Sequence, residues 1–125
     1  MARVLVLTRD LLFGSRVQGA LALAGHDVEL VADEPRLRDG LADPGDPAGP
    51  AVDVVVVDLT DAELDGAASV QALSDSGALG EARTLGFYSH VDAAVRARAQ
   101  QAGFDLVVPR SRMAREGPEL VASLS

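Results

Sequence analysis

The chain has 125 residues, a formal net charge of −8 and no cysteine. That length gives one domain (1–125) able to bury roughly two thirds of its unfolded surface without a staple, and the missing thiols exclude disulfides, thiol catalysis and thiolate metal sites. The acidic balance excludes a nucleic-acid binder that depends on phosphate contacts, no apolar run approaches the roughly 20 residues of a membrane span, and MARVLVLTRD is too short an apolar stretch for a signal peptide, so a cytoplasmic home is expected.

Arg3 to Thr8 (RVLVLT) reads as a short buried strand. The segment DLLFGSRVQGALALAGHDV carries Phe13, Val17, Leu21 and Ala24 at helical spacing and stops at Gly25, a good helix C-terminus. Asp27 to Ala32 alternates Val28, Leu30 and Ala32 with Asp27, Glu29 and Asp33, the pattern of an edge strand with one wet face. A short helix is expected over 35–42, with Pro35 tolerated in its first turn. Asp43 to Ala51, with three prolines and two glycines, can be neither helix nor strand and is read as a surface loop inside the domain.

Val52 to Gly66, VDVVVVDLTDAELDG, is the stretch around which the rest is organised. Four consecutive valines between two aspartates show no polar alternation, which fits a central strand of a parallel sheet covered on both faces. The strand ends at Asp58, at the carboxyl edge where open α/β folds place their chemistry. A modest helix follows from Ala62 or Gly66 to about Ser76, broken by Gly77 to Gly80. Arg83 to Ser89 is a fourth strand weakened by Gly86. Asp92 caps a helix over Ala93 to Ala102, which Gly103 ends; Phe104 to Val108 is strand five, and Arg112 to Leu124 a last helix interrupted by Gly117-Pro118. Five strands alternating with five helices, joined by right-handed crossovers, give an α/β flavodoxin-like (βα)5 three-layer sandwich. The edge-like second strand and fully apolar third select the order 2-1-3-4-5.

All 11 basic residues are arginine, and they are unevenly placed. From Asp27 to Glu81 there are 14 acids against Arg36 and Arg38, and from Arg83 to Arg115 six arginines against Asp92 and Asp105. The asymmetry is either ordinary solvated charge or an interface with an acidic or self-complementary partner. His26 and His90 have no second ligand at useful spacing, so no metal role is expected for either. Nothing resembles a nucleophile elbow, and no enzymatic activity is expected.

DLTDAELDG, from Asp58 to Gly66, resembles the phosphoacceptor loop of response-regulator receiver domains, in which an aspartate ends strand three and an Asp-Gly pair lies seven and eight residues on. The similarity continues through AGHDVELVAD at strand two and AQQAGFDLVVPRS into strand five. It implies a signalling module with Asp58 as phosphoacceptor candidate, and it also marks departures. The family's Mg²⁺-binding acidic pair falls on Thr8 and Arg9, which leaves Asp10 and Asp58 as the only carboxylates for a metal. The strand-five lysine has no counterpart but Arg110, which follows Pro109 where the family's proline follows the lysine. The strand-four Ser/Thr switch is matched by Ser89 or displaced to Tyr88, and the aromatic switch position falls on Leu106 or Val107. Phosphotransfer to a carboxylate needs charge neutralisation at the developing phosphoryl oxygens. Phosphorylation at Asp58 is therefore expected to be weak or absent, with Asp58 bonded to Arg9, Arg110 or loop amides.

The resemblance further implies a protein partner or effector domain. It also implies a weak homodimer through the fourth helix, fifth strand and fifth helix, where Arg96, Arg98, Arg112 and Arg115 stand beside Asp92, Asp105, Glu116 and Glu119, with apolar atoms from Val91 and Val95. Two alternatives stay open: a working phosphoacceptor receiver of a two-component system, and a Rossmann-like nucleotide-binding domain. The second rests on GSRVQGALALAGHDVELVADEPRL, with Asp33 near the ribose position, but Leu11, Leu12 and Phe13 replace the glycine-rich turn.

Overall fold

The computed structural model describes residues 2–42, 52–89 and 93–125. The proline-rich loop at 43–51 and the expected cap Asp92, with His90 and Val91, lie outside the described residues. In chain order the elements are β1 (Arg3–Leu7), α1 (Leu11–Leu23), β2 (Asp27–Val31), α2 (Glu34–Ala42), β3 (Val54–Asp58), α3 (Gly66–Ser76), β4 (Arg83–Tyr88), α4 (Ala93–Gln101), β5 (Leu106–Pro109) and α5 (Arg110–Leu124). The five strands form one parallel sheet in the order β2-β1-β3-β4-β5. That is the doubly wound order expected from the sequence, and it differs from the 3-2-1-4-5 order of a dinucleotide-binding sheet.

The valine run explains the layering. Val54, Val55, Val56 and Val57 are all fully buried, because alternate side chains of a strand point to opposite faces and helices cover both. Val54 and Val56 pack with Phe13, Leu21, Met113 and Val121 of α1 and α5, while Val55 and Val57 pack with Leu37, Val70, Leu73 and Ala99 of α2, α3 and α4. At roughly 1.5 kcal/mol or more per buried valine, this strand alone contributes about 6 kcal/mol, comparable with the whole net stability of a small domain. Edge strand β2 behaves as its alternation implies, with Val28 and Leu30 half-buried and Asp27 and Glu29 exposed.

Three local expectations are corrected. Helix α5 runs unbroken from Arg110 through Gly117 and Pro118 to Leu124. A proline inside a helix removes one N–H and crowds the carbonyl one turn back, but that carbonyl belongs to exposed Ala114, and buried Met113, Leu120 and Val121 hold the helix to the sheet on both sides of the defect. Gly86 does not interrupt β4, which spans six residues; a Cβ there would come within 2.7 Å of Leu59 and 3.0 Å of the Phe104 ring, so the glycine makes room for both. Ala24 is exposed rather than inward, because α1 ends at Leu23 and Ala24 is its C-cap.

Candidate functional site

The carboxyl ends of β1 and β3 bring Thr8 and Asp58 together. Asp58 ends β3 with only 2% of its surface exposed, and Thr8 beside it is equally buried. Both carboxylate oxygens of Asp58 are engaged. Thr8 Oγ1 donates to Oδ2 at 2.8 Å, and Oδ1 accepts from the Thr60 amide at 2.8 Å and from Thr60 Oγ1 at 2.6 Å. The Thr60 amide bond is an Asx turn, a side chain of residue i closing on the N–H of residue i+2. Thr8 Oγ1 also accepts from the Asp10 amide at 3.1 Å, so one hydroxyl ties the β1–α1 turn to the end of β3.

The arginines expected on Asp58 are elsewhere. Arg9 turns away from it and forks onto Asp61, with Nε at 2.6 Å from Oδ2 and Nη2 at 2.7 Å from Oδ1, and reaches Glu63 at 3.4 Å. The bond from Arg9 holds the Asp61 carboxyl below the ordinary carboxylate range, and the same bond raises the Arg9 guanidinium. Arg110 pairs with Asp10 at 3.0 Å and lies over the Phe13 ring, 4.2 Å from its centroid. Of the expected bonds to Asp58, only the loop amide forms. The cause is geometric: Asp58 is closed in by short hydroxyl side chains, and the surface acids Asp61 and Asp10 meet the long arginine side chains first.

Asp10 is likewise committed. Its Oδ1 accepts from the Phe13 amide at 3.0 Å and caps α1, and its Oδ2 takes Arg110. A Mg²⁺ site asks for near-octahedral oxygen donors, one or two of them free carboxylates. The residues at this edge do not fit one: Asp10 and Asp58 spend their oxygens on internal donors, and no group of three or more His, Asp or Glu side chains is placed to hold a metal among the described residues. The same capped N-terminus of α1, led by Asp10, also closes the place where the Rossmann-like alternative would set a pyrophosphate.

Ser89 is exposed at the end of β4, on the rim of a cleft of about 190 Å³ shared with Thr60, Asp61, Asp65 and Arg98. Tyr88 instead points into the core on the α3 and α4 side. The Asp-Gly pair of the resemblance has a packing reason. Asp65 adopts a left-handed backbone, φ 47°, and its side chain caps α3 through the Ala68 amide. Gly66 lies so close to β3 that a Cβ would collide with Val57 and come 3.2 Å from the Asp58 carbonyl oxygen. Thr60 and Asp61 carry no role in the sequence reading. The spacing Asp58-x-Thr60 was the readable signal, since Asp two residues before a turn amide is the Asx pattern.

The arginines expected at an interface are mostly engaged within the chain. Arg98 bonds Asp65 at 3.0 Å beside the α3 cleft. Arg112 and Arg115 both reach Glu116, and Arg96 makes no ion pair among the described residues. Asp105 sits at the opposite, amino edge of the sheet, bonded to Thr84 and paired with Arg83. His26 accepts from the Ala2 amide through Nδ1. No helix among the described residues is long and apolar enough to cross a membrane.

The strand order and the alternation of strands with five helices define the flavodoxin-like, CheY-like fold. Solved structures of receiver domains share it. The chain matches the Vibrio cholerae chemotaxis protein CheY4 with a TM-score of 0.82 at 16% identity, covering 100% of this chain and 99% of that one. It matches the receiver domain of the Francisella response regulator 1452 with a TM-score of 0.79 at 17% identity, over 99% and 96% of the two chains. It matches the signal receiver domain of the response regulator NarL from Mycobacterium tuberculosis with a TM-score of 0.77 at 22% identity, over 98% and 94%. No protein-family model matches the chain, and no curated protein matches it.

Proposed function

We propose that the chain is an atypical, non-enzymatic receiver-like signalling module that works through a protein partner or effector domain, with phosphorylation of Asp58 weak or absent. The observation that carries this reading is the closure of Asp58. Phosphoryl transfer to a carboxylate needs an oxygen open to in-line attack and fixed positive charge at the developing phosphoryl oxygens. Here the oxygens of Asp58 accept from Thr8 and Thr60, and the arginines expected on it, Arg9 and Arg110, pair with Asp61 and Asp10. Asp58 serves as an internal hydrogen-bond centre that joins β1, β3 and the following loop. The proposed assembly is a weak homodimer through the face of α4, β5 and α5, with Arg96, Arg98, Arg112 and Arg115 as its charged groups, of which Arg98, Arg112 and Arg115 already hold acids of their own chain.

The test of the closed carboxylate is beryllofluoride, which occupies an accessible aspartate as a phosphoryl mimic when Mg²⁺ is present. Fluorine NMR of the full chain should show no bound resonance. A bound signal that disappears in Asp58→Asn would overturn the reading.

A further inference from the structure

A cavity of about 860 Å³ lies between α1 and α5. That is within the roughly 300–1,000 Å³ of small-molecule sites, which are mainly apolar with a few convergent polar groups. Its walls follow that division. Val17, Ala20 and Leu23 of α1 face Met113 and Ala114 of α5 along its length, and Arg110, Ser111 and Ser89 stand at the carboxyl-edge end. Small side chains at Gly19, Ala20, Ala114 and Gly117 keep the two helices from closing it.

The charge of the lining is one-sided. On a chain of net charge −8, the ionisable side chains that line this groove among the described residues are Arg16 and Arg110. Arg16 makes no ion pair or hydrogen bond among the described residues. Arg110 is fixed in place, stacked over Phe13 and bonded through Nη2 to Asp10, which leaves most of its five N–H donors unspent. The nearby acids do not face the groove: Asp58 is enclosed by Thr8 and Thr60, Asp61 by Arg9, and Asp10 by Arg110 and the α1 amide.

From this we infer that the α1–α5 groove is a binding site for a small amphipathic anion, an apolar ring or chain body carrying one carboxylate, sulfonate or phosphate. The body lies between Val17, Leu23, Met113 and Ala114, and the anionic group meets Arg110, Ser111 and Ser89, with Arg16 flanking it. The site supplies an input for the module proposed above and rests on that reading only for its signalling role; binding itself does not depend on Asp58.

The test is a fluorescence titration of the full chain with anilinonaphthalene sulfonate, an aromatic body bearing one sulfonate, with dodecanoate as competitor. Saturable one-to-one binding displaced by dodecanoate is expected, weakened by about tenfold or more in Ala114→Trp, which fills the groove from an exposed position, and severalfold in Arg110→Gln. Leu12→Ser, on α1 outside the groove, and Asp58→Asn should bind as wild type, so failure of the phosphorylation reading would not move this result. Thermal unfolding of each variant separates lost binding from lost fold. No saturable binding, or full binding in folded Ala114→Trp, overturns the proposal. So does a protein dimer in sedimentation that dissociates as the probe is added, because the groove would then be a protein interface.

Discussion

Replacing Thr8 by valine keeps the shape of the side chain and removes its hydroxyl. Two bonds go with it: the donor to Asp58 Oδ2 and the acceptor for the Asp10 amide. A hydrogen bond to a charged group contributes about 1.5–3 kcal/mol, and a buried acceptor left short carries its desolvation cost. Asp58 has almost no water contact to replace the lost donor, so Thr8→Val is expected to cost about 2–3 kcal/mol. With an unfolding entropy of about 2.1 cal/mol/K per residue, 125 residues convert that into a fall of about 8–11 °C in Tm. Urea unfolding measures the free energy directly, with the m-value unchanged because the folded surface is unchanged. A double-mutant cycle supplies the specificity: in an Asp58→Asn background the cost of Thr8→Val should shrink by about 1 kcal/mol or more. A cost below about 0.5 kcal/mol, or the same cost in both backgrounds, would refute Asp58 as the partner that matters.

Gly66→Ala should cost about 1–3 kcal/mol by overpacking the end of β3, since the added methyl meets Val57 and the Asp58 carbonyl; a neutral substitution in urea unfolding would contradict the packing reason given for the Asp-Gly pair. The Arg9–Asp61 pair sets a pH dependence. The folded carboxyl of Asp61 titrates below its ordinary value, so its contribution is full above an unfolded pKa of about 3.9 and is lost as pH falls through the folded value. The stability gap between wild type and Asp61→Asn should therefore be present near neutrality and close below about pH 4; a gap constant across that range would contradict the pair. For the proposed homodimer, sedimentation should show association that loosens with salt and is lost in Arg112→Glu, and a strictly monomeric chain at high concentration would remove it.

The fold was legible because its signals are local. The uninterrupted valines of β3, the alternation in β2, and the glycines after α1 and α4 each state their own environment, and together they fix five strands and their order. What was not legible depends on distance in the sequence. Thr8 and Asp58 lie fifty residues apart, and no spacing rule tells which of Thr8, Arg9 and Asp10 a strand end will turn inward. Charge suggested Arg9 and Arg110 as partners of Asp58 beside the loop amides, and at the buried strand end the amide of Thr60 and the hydroxyls of Thr8 and Thr60 take those places. Pro118 misled for the opposite reason. A helix rule about proline was read as a break, although buried residues on both sides hold α5 together.

Intact-mass measurement of the full chain after incubation with acetyl phosphate and Mg²⁺ addresses Asp58 most directly. No stable gain of a phosphoryl group is expected at any time point, and Asp58→Asn should give the same spectrum as wild type. A gain of one phosphoryl mass that requires Mg²⁺ and is absent from Asp58→Asn would show that the carboxylate opens to a donor and that the closed site is not its working state.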